Sequence, residues 1–200
     1  MRDGGSAVAS LTVNENHANL LGTPEWAAHL HDDILPVVTS VVDLGEDMLE
    51  IGPGPGAATE WLRHQVRRLV AVELDAAAAD ALLMRFAHTN VPVVVGDATA
   101  LDYPDGSFDS VGMFTMLHHV PTAALQNALL TEAQRVLRPG GTLVGSDSLA
   151  SDGLHHFHAG DTYNPVEPAA LLTRLQTLGF GPITITVGDT LLFRAGKEKT

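Results

Sequence analysis

The 200-residue sequence contains no cysteine, and aromatic residues make up only 5% of it. The absence of cysteine excludes disulfide bonds, thiolate nucleophiles and thiolate metal ligands. The low aromatic content disfavours a large substrate held by ring stacking. No apolar run approaches the roughly 18 residues that a membrane-spanning helix needs. The first residues, Met1–Ser6, lack a signal-peptide pattern, so the sequence predicts a soluble, cytoplasmic protein.

Basic residues are also scarce, since 11 Lys and Arg stand against 24 Asp and Glu for a formal net charge of −13. Such a field repels DNA, RNA and anionic membranes. The one basic run, Arg63–Arg68 (RHQVRR), is typical of a solvated helix face. We therefore expect neither nucleic acid nor a membrane as a partner, and a small neutral or cationic molecule becomes the favoured substrate.

Short apolar runs alternate with helical stretches, a pattern typical of a parallel sheet covered by helices on both faces. The predicted strands are 47–52, 69–74, 91–96, 108–116 and 142–147, and the predicted helices between them are 57–66, 76–87 and 122–137. Near the end, Ile183–Val187 and Thr190–Ala195 are separated by only two residues, so they must form an antiparallel hairpin. The predicted fold class is a Rossmann-like three-layer α/β sandwich whose mostly parallel sheet ends in that hairpin.

The domain organisation predicted is a Rossmann-like domain over residues 45–200, preceded by N-terminal lid or cap helices over residues 1–44. One of these helices begins at Pro24, with Thr23 as its cap. The stretch 151–166 shows no evident structure, and loops of that length are usually lids or binding loops. We expect it to recognise the substrate. The edge of the terminal hairpin would suit a homodimer.

A glycine-rich loop, LEIGPGPG at residues 49–56, follows the first predicted strand. Glycines there let the backbone pass close beneath a ligand. The G-x-G-x-G spacing differs from the G-x-G-x-x-G of dinucleotide-binding proteins. Glu73 ends the second strand, where it can accept hydrogen bonds from ribose hydroxyls, and Asp97 follows the third, where it could accept one from an adenine amino group. All three features fall at the carboxyl ends of strands, where open α/β sheets bind ligands.

The ordered series LEIGPGPG, AVELD, VVVGDAT, DGSFDSV, MLHHV and RVLRPGGTLV resembles the class I S-adenosylmethionine-dependent methyltransferases of the small-molecule branch. A weaker similarity, over Asn16–Leu21, is to the lid helix of some actinobacterial-type members. The resemblance implies S-adenosylmethionine as cofactor and S-adenosylhomocysteine as product. It also implies a set of residues around the cofactor, from its methionine portion through the ribose to the adenine: Glu50, Gly52, Pro53, Gly54, Glu73, Leu74, Asp97, Ala98 and Phe114.

Methyl transfer to a neutral hydroxyl needs a base, and histidine is the usual one. Ten histidines are present, and two groups of them, His118–His119 and His155–His158, lie where the acceptor should approach. We expect the base to be His119, His156 or His158, and the reaction to be O-methylation of a small sugar, polyol or phenol. C-methylation and carboxylate methylation stay open. No Asn/Asp-Pro-Pro-Tyr/Phe sequence follows the fourth strand, which disfavours N-methylation of amides and nucleobases.

Three alternatives remain at this point. A divalent metal such as Mg²⁺ could bind near the second histidine group, where acidic side chains and an imidazole are close in sequence: Asp147, Asp152, His158 and Asp161. No residue is assigned as a metal ligand. An NAD-dependent oxidoreductase would leave Asp97 and the terminal hairpin unexplained. A catalytically inactive, methyltransferase-like binding module would have little reason to keep the glycine loop and both carboxylates.

Overall fold

The computed structural model describes residues 19–199, in which seven strands form one sheet. In chain order they are β1 (Asp47–Ile51), β2 (Arg68–Glu73), β3 (Val93–Val95), β4 (Phe108–Phe114), β5 (Leu137–Ser148), β6 (Phe180–Val187) and β7 (Thr190–Lys197). The spatial order is β3-β2-β1-β4-β5-β7-β6. The first five strands are parallel, and β7 pairs antiparallel with both β5 and β6. The predicted fold class, with its terminal hairpin, is confirmed.

Helices cover both faces of this sheet. They are α1 (Pro24–His29), α2 (Leu35–Thr39), α3 (Ala57–Leu62), α4 (Ala76–Arg85), α5 (Ala123–Val136), α6 (Asp152–Phe157) and α7 (Pro168–Thr177). A π-helical turn at Leu30–Ile34 joins α1 to α2. The Thr23 hydroxyl accepts a hydrogen bond from Trp26 N at 3.2 Å, and Pro24 occupies the first turn, as the sequence predicts for the start of α1.

Successive side chains of the central strands enter two apolar cores, one on each face of the sheet. Leu49 and Val70 face a core shared with α5 and α7. Met48 and Leu69, their neighbours along the strands, face a core shared with α3, α4 and the N-terminal helices. Leu35 of α2 is fully buried in that second core. Residues 24–39, predicted as part of a lid, therefore also stabilise the domain, whereas residues 1–18 lie outside the described part.

Strand β5 begins at Leu137, five residues before the predicted start. Glycines allow this extension. Gly140 has φ +83°, and a Cβ on Gly141 would lie 2.7 Å from the carbonyl oxygen of Asp109. Only a residue without a side chain permits that backbone approach, and the ladder between β4 and β5 shifts register at the same place.

Residues 151–166 are not a wholly irregular loop, because they contain α6. The Ser151 side chain caps that helix by accepting a hydrogen bond from Leu154 N at 3.2 Å. Strand β6 is an edge of the sheet, and the homodimer expected at that edge stays a prediction. Within residues 19–199, no helix is both long enough and apolar enough to cross a membrane.

Candidate functional site

A cavity of about 310 Å³ opens at the carboxyl ends of β1, β2 and β4. Three chain segments build it: the glycine loop after β1, the end of β2, and the residues after β4. The N-terminal helices close one side, with Leu21, Trp26 and Leu30. Of the residues predicted to bind the cofactor, six line this cavity: Glu50, Gly52, Pro53, Gly54, Glu73 and Phe114.

The glycine loop adopts backbone conformations that favour glycine. Gly52, Gly54 and Gly56 have φ of +66°, +54° and +85°. A Cβ on Gly56 would lie 2.7 Å from the Phe86 ring, whereas a Cβ on Gly54 would meet no protein atom within 4 Å. Gly56 is therefore required by packing, and Gly54 keeps one wall of the cavity open.

Two buried carboxylates stand beside the loop. Glu73 accepts hydrogen bonds from the backbone N–H of Gly54 at 3.3 Å and of Asp75 at 3.0 Å, so its side chain holds the loop against the end of β2. Glu50, which is 1% exposed, lies at the end of β1, and no described residue pairs with its Oε2 atom. Burial raises the pKa of Glu50 to about 7, and the nearby Glu73 charge adds to the rise, whereas hydrogen bonding by the Thr59 side chain lowers the pKa.

An unpaired buried carboxylate oxygen beside an open glycine is what a ligand carrying hydrogen-bond donors and positive charge would satisfy. The α-ammonium and sulfonium groups of S-adenosylmethionine meet both requirements. The residues present therefore fit the methionine portion of that cofactor, as the resemblance implies.

The adenine end was predicted from residues that do not line the cavity: Leu74, Asp97 and Ala98. Asp97 Oδ1 instead accepts hydrogen bonds from the backbone N–H and the hydroxyl of Thr99, at 2.8 and 2.7 Å. This local turn shapes the loop after β3. The adenine-binding role of these three residues stays a prediction.

The segment after β4 contributes Phe114, Thr115, Met116 and His119 to the lining of the cavity. Thr115 has φ +52°, an uncommon conformation for a β-branched residue, and its backbone N–H donates to the carbonyl of Ser146 at 2.8 Å. Sequence reasoning missed Thr115, because nothing in the sequence signals a left-handed threonine.

Three histidines come together at the part of the lining that contains His119. One ring nitrogen from each of His118, His119 and His158 lies within 4.8 Å of the others. The rings of His118 and His158 have centroids 5.1 Å apart, and Tyr163 stacks on His158 at 4.4 Å. His118 and His158 are buried, whereas His119 is half-buried and lines the cavity. Of the predicted bases, His119 and His158 therefore lie together, and the exposed His156 does not join them.

The exposed position of His156 follows from its place on α6. Its Nδ1 lies 2.8 Å from the carbonyl oxygen of Asp152, one turn earlier in the helix. The prediction that His156 belongs to the site is therefore not supported by its position. A stretch of four residues that contains three histidines cannot direct all of them to one place, because neighbours on a helix point in different directions.

Asp147 organises the histidine cluster, defined here as His118, His119 and His158. It is fully buried on β5, which lies next to β4 in the sheet. Its carboxylate lies 2.5 Å from His118 Nδ1 and accepts a hydrogen bond from His118 N at 3.2 Å. The Nδ1 of His158 donates to the Leu154 carbonyl at 2.7 Å. The pKa of His158 is lowered, and burial is the largest cause. The lower pKa favours the neutral imidazole.

Hydrogen bonds from Asn164 and Gln126 hold the chain after α6 beside the histidine cluster. Asn164 N donates to the carbonyl of His118 at 2.7 Å, and its side-chain amide donates to the carbonyl of Val120 at 3.1 Å. The buried Gln126 amide bridges the carbonyls of Leu117 and Asn164 at 2.8 and 2.9 Å. These bonds hold the end of the 151–166 stretch against the segment that carries His118 and His119.

Comparison with known proteins agrees with this geometry. Residues 49–145 match the family described as methyltransferase domain. Over that stretch, which is just under half of the chain, the protein is similar to methyltransferase domains. That match covers β1 through most of β5, and so includes the glycine loop, both carboxylates and the first two histidines of the cluster.

Solved structures share the fold of this chain. A SAM-dependent methyltransferase from Methanosarcina mazei superposes with a TM-score of 0.71 at 16% identity, over 84% of this chain and 100% of that one. Phosphoethanolamine N-methyltransferase 2 of Haemonchus contortus, solved with S-adenosyl-L-methionine, gives a TM-score of 0.72 at 15% identity, over 92% of this chain and 57% of that one.

A curated sequence relative is the protein named Probable ribosomal RNA small subunit methyltransferase A of Pyrobaculum islandicum. It is 36% identical over 90 residues, which cover 44% of this chain and 38% of that protein. The chain therefore matches well under half of the length of this relative.

Proposed function

We propose that the chain transfers the methyl group of S-adenosylmethionine to a hydroxyl oxygen of a small molecule. The observation that carries the proposal is one cavity whose lining includes Glu50, Glu73, the open Gly54 and His119. The methyltransferase domain match supports the choice of cofactor. Rossmann-like folds host many chemistries, so the site rather than the fold has to support the activity.

The cofactor supplies an electrophilic methyl group, and the protein has to position the acceptor, exclude water and accept a proton. Apolar side chains from the N-terminal helices and from the segment after β4 line the cavity, which suits the exclusion of water: Leu21, Trp26, Leu30, Phe114 and Met116. His119 is the member of the histidine cluster that lines the cavity. It is therefore the residue we assign to receive the proton of the acceptor hydroxyl.

Ribosomal RNA is the second candidate acceptor, because the Pyrobaculum relative carries that name. The charge of this chain opposes it, since a formal net charge of −13 repels a polyanion. We therefore favour an uncharged or cationic small acceptor, such as a sugar, polyol or phenol. The oxidoreductase alternative loses its support, because the domain match is to methyltransferases.

The test is transfer of radiolabelled methyl from S-adenosylmethionine to separate panels of sugars, polyols, phenols and deproteinised ribosomal RNA. We expect label in a small hydroxyl compound. In His119→Gln the transfer should fall at least about tenfold, while the affinity for S-adenosylhomocysteine stays unchanged. His64→Gln is the matched control, because His64 is exposed and does not line the cavity. Label in the RNA alone would contradict the choice of acceptor.

A further inference from the structure

The histidine cluster has the composition and geometry of a metal centre. One ring nitrogen from each of His118, His119 and His158 lies within 4.8 Å of the others. Two imidazole nitrogens on one tetrahedral Zn²⁺ lie about 3.3 Å apart, given Zn–N bonds of about 2.0–2.1 Å. Side-chain rotations that move each ring by about 1 Å would therefore bring all three onto one ion.

Hydrogen bonds fix the tautomers of two of these rings. His158 Nδ1 donates to the Leu154 carbonyl, which can only accept, so the lone pair of the neutral ring resides on Nε2. His118 Nδ1 faces the Asp147 carboxylate at 2.5 Å. A carboxylate or carbonyl on one ring nitrogen, with the metal on the other, is the usual outer arrangement of protein metal sites.

The charges around the cluster suit a cation. Asp147 is fully buried against His118, and Asp161 lies close enough for its charge to act on His158, as that of Asp147 does. Asp161 is also held in place, because its backbone N–H donates to the carbonyl of His158 at 2.8 Å. Two carboxylates beside three imidazoles offset the charge of a divalent ion in a buried place.

We propose that His118, His119 and His158 bind a divalent transition-metal ion of the Zn²⁺ type, with an open coordination position facing the cavity. Imidazole ligands favour Zn²⁺ and related ions, whereas Mg²⁺ prefers oxygen ligands and retained water. The site therefore differs from the Mg²⁺ alternative raised from the sequence, and Asp152, on the exposed start of α6, takes no part in it. Three protein ligands with a fourth position open is the pattern of catalytic rather than structural zinc.

The position of His119 gives this site a role that rests on the proposed function. His119 lines the cavity, so a ligand entering the open coordination position would come from the cavity. A hydroxyl bound to Zn²⁺ loses its proton to water far more readily than a free one, while the oxygen keeps the electron pair. In the metal-bound protein, His119 is then a ligand, and the ion replaces it in activating the acceptor.

The test measures metal binding directly on the tag-free protein, after EDTA treatment and removal of the chelator. Zn²⁺ affinity is measured by competition with a chromophoric chelator, and Co²⁺ is used for its visible spectrum. We expect one equivalent of Zn²⁺ and weaker binding by at least about 100-fold in His158→Gln and in His119→Gln, because even changes outside the ligand shell cost 10- to 100-fold. Mg²⁺ should not compete.

His156→Gln is the matched control, because His156 lies two residues from His158 but is exposed on α6. It should bind Zn²⁺ within about twofold of the unsubstituted chain. Far-UV circular dichroism and thermal unfolding confirm that each variant is folded, and Asp147→Asn gives a second test with all three ligands present, expected to weaken binding about 10- to 100-fold.

Equal losses in His156→Gln and His158→Gln, or no loss in His158→Gln and His119→Gln, would overturn the proposed site. Titration with S-adenosylhomocysteine on the same preparations separates the two proposals. Zn²⁺ binding without S-adenosylhomocysteine binding would retain the metal site and contradict the proposed function. S-adenosylhomocysteine binding without Zn²⁺ binding would contradict the metal site and leave the proposed function standing.

Discussion

Replacing Glu50 with glutamine should change how the stability of the protein depends on pH. Burial raises the pKa of Glu50 from 4.5 to about 7, with the Glu73 charge as a further cause. As the pH rises, the folded protein keeps a proton that the unfolded chain loses at a lower pH. Glu50 therefore favours folding at low pH. That contribution is complete below pH 4.5 and is lost as the pH rises through about 7. Glutamine has nearly the same shape and cannot ionise.

The size of the effect follows from the two pKa values. A rise from 4.5 to about 7 corresponds to about 3 kcal/mol of added cost for ionising the buried side chain. Between pH 5 and pH 8, the free energy of unfolding of the wild-type chain should fall relative to that of Glu50→Gln by about 2.5 kcal/mol. Urea unfolding of both proteins across this range measures the difference, in which titrating groups that do not interact with Glu50 cancel. A difference that stays constant, or moves towards the wild type at high pH, would refute the reasoning.

The same residue links cofactor binding to proton release. Glu50 lines the cavity, so a cofactor ammonium placed against it should draw it into the charged form. At pH 7 about half of the protein should release a proton on binding S-adenosylhomocysteine. Calorimetric titrations in phosphate and in Tris should then give different apparent enthalpies, and Glu50→Gln should give the same enthalpy in both. Identical enthalpies for the wild-type chain would contradict this placement of the cofactor.

Three further substitutions separate stability from binding. Gly54→Ala places a methyl group in the open cavity wall at φ +54°, so it should cost about 1 kcal/mol of unfolding free energy and weaken S-adenosylhomocysteine binding at least about tenfold by calorimetry. Gly56→Ala meets Phe86 and Leu82 at 2.7 and 2.8 Å, so chemical denaturation should show a loss of about 2–4 kcal/mol. Leu35→Ala removes a fully buried side chain that does not line the cavity, and should lower the unfolding free energy by about 2–5 kcal/mol without changing the cofactor affinity of the folded protein. These assignments would be contradicted if Gly54→Ala and Gly56→Ala weakened binding equally and lowered stability equally. Weaker cofactor binding by folded Leu35→Ala would also contradict them.

The sheet and the glycine-loop end of the site could be predicted from the sequence, because local patterns determine them. Buried parallel strands are short apolar runs, and a glycine loop after the first one marks the ligand-binding edge. Glu73 follows from its position at a strand end, whereas Glu50 is implied by the resemblance. The two residues between Val187 and Thr190 exclude a crossover, so the hairpin is determined by chain length alone.

The histidine cluster could not be assembled from the sequence, because it depends on contacts between distant segments. His118 meets Asp147 because β4 and β5 are parallel neighbours, with Phe114 beside Ser146. His158 joins them because Asn164 returns to the His118 segment. The sequence did contain a signal for Asp147, an acidic residue near the end of a buried strand, but grouping by nearness in sequence placed it with Asp152 instead.

The account rests on S-adenosylmethionine binding in the cavity between the glycine loop and His119. The most direct test is calorimetric titration with S-adenosylhomocysteine, and with NAD as the comparison ligand, of the wild-type chain, Glu73→Gln and the half-buried control Glu60→Gln. We predict micromolar binding of S-adenosylhomocysteine alone, about 10- to 100-fold weaker in Glu73→Gln because charged hydrogen bonds are lost. Binding should be unchanged in Glu60→Gln, because Glu60 does not line the cavity. No binding of S-adenosylhomocysteine to the wild-type chain, or binding of NAD in its place, would contradict the account.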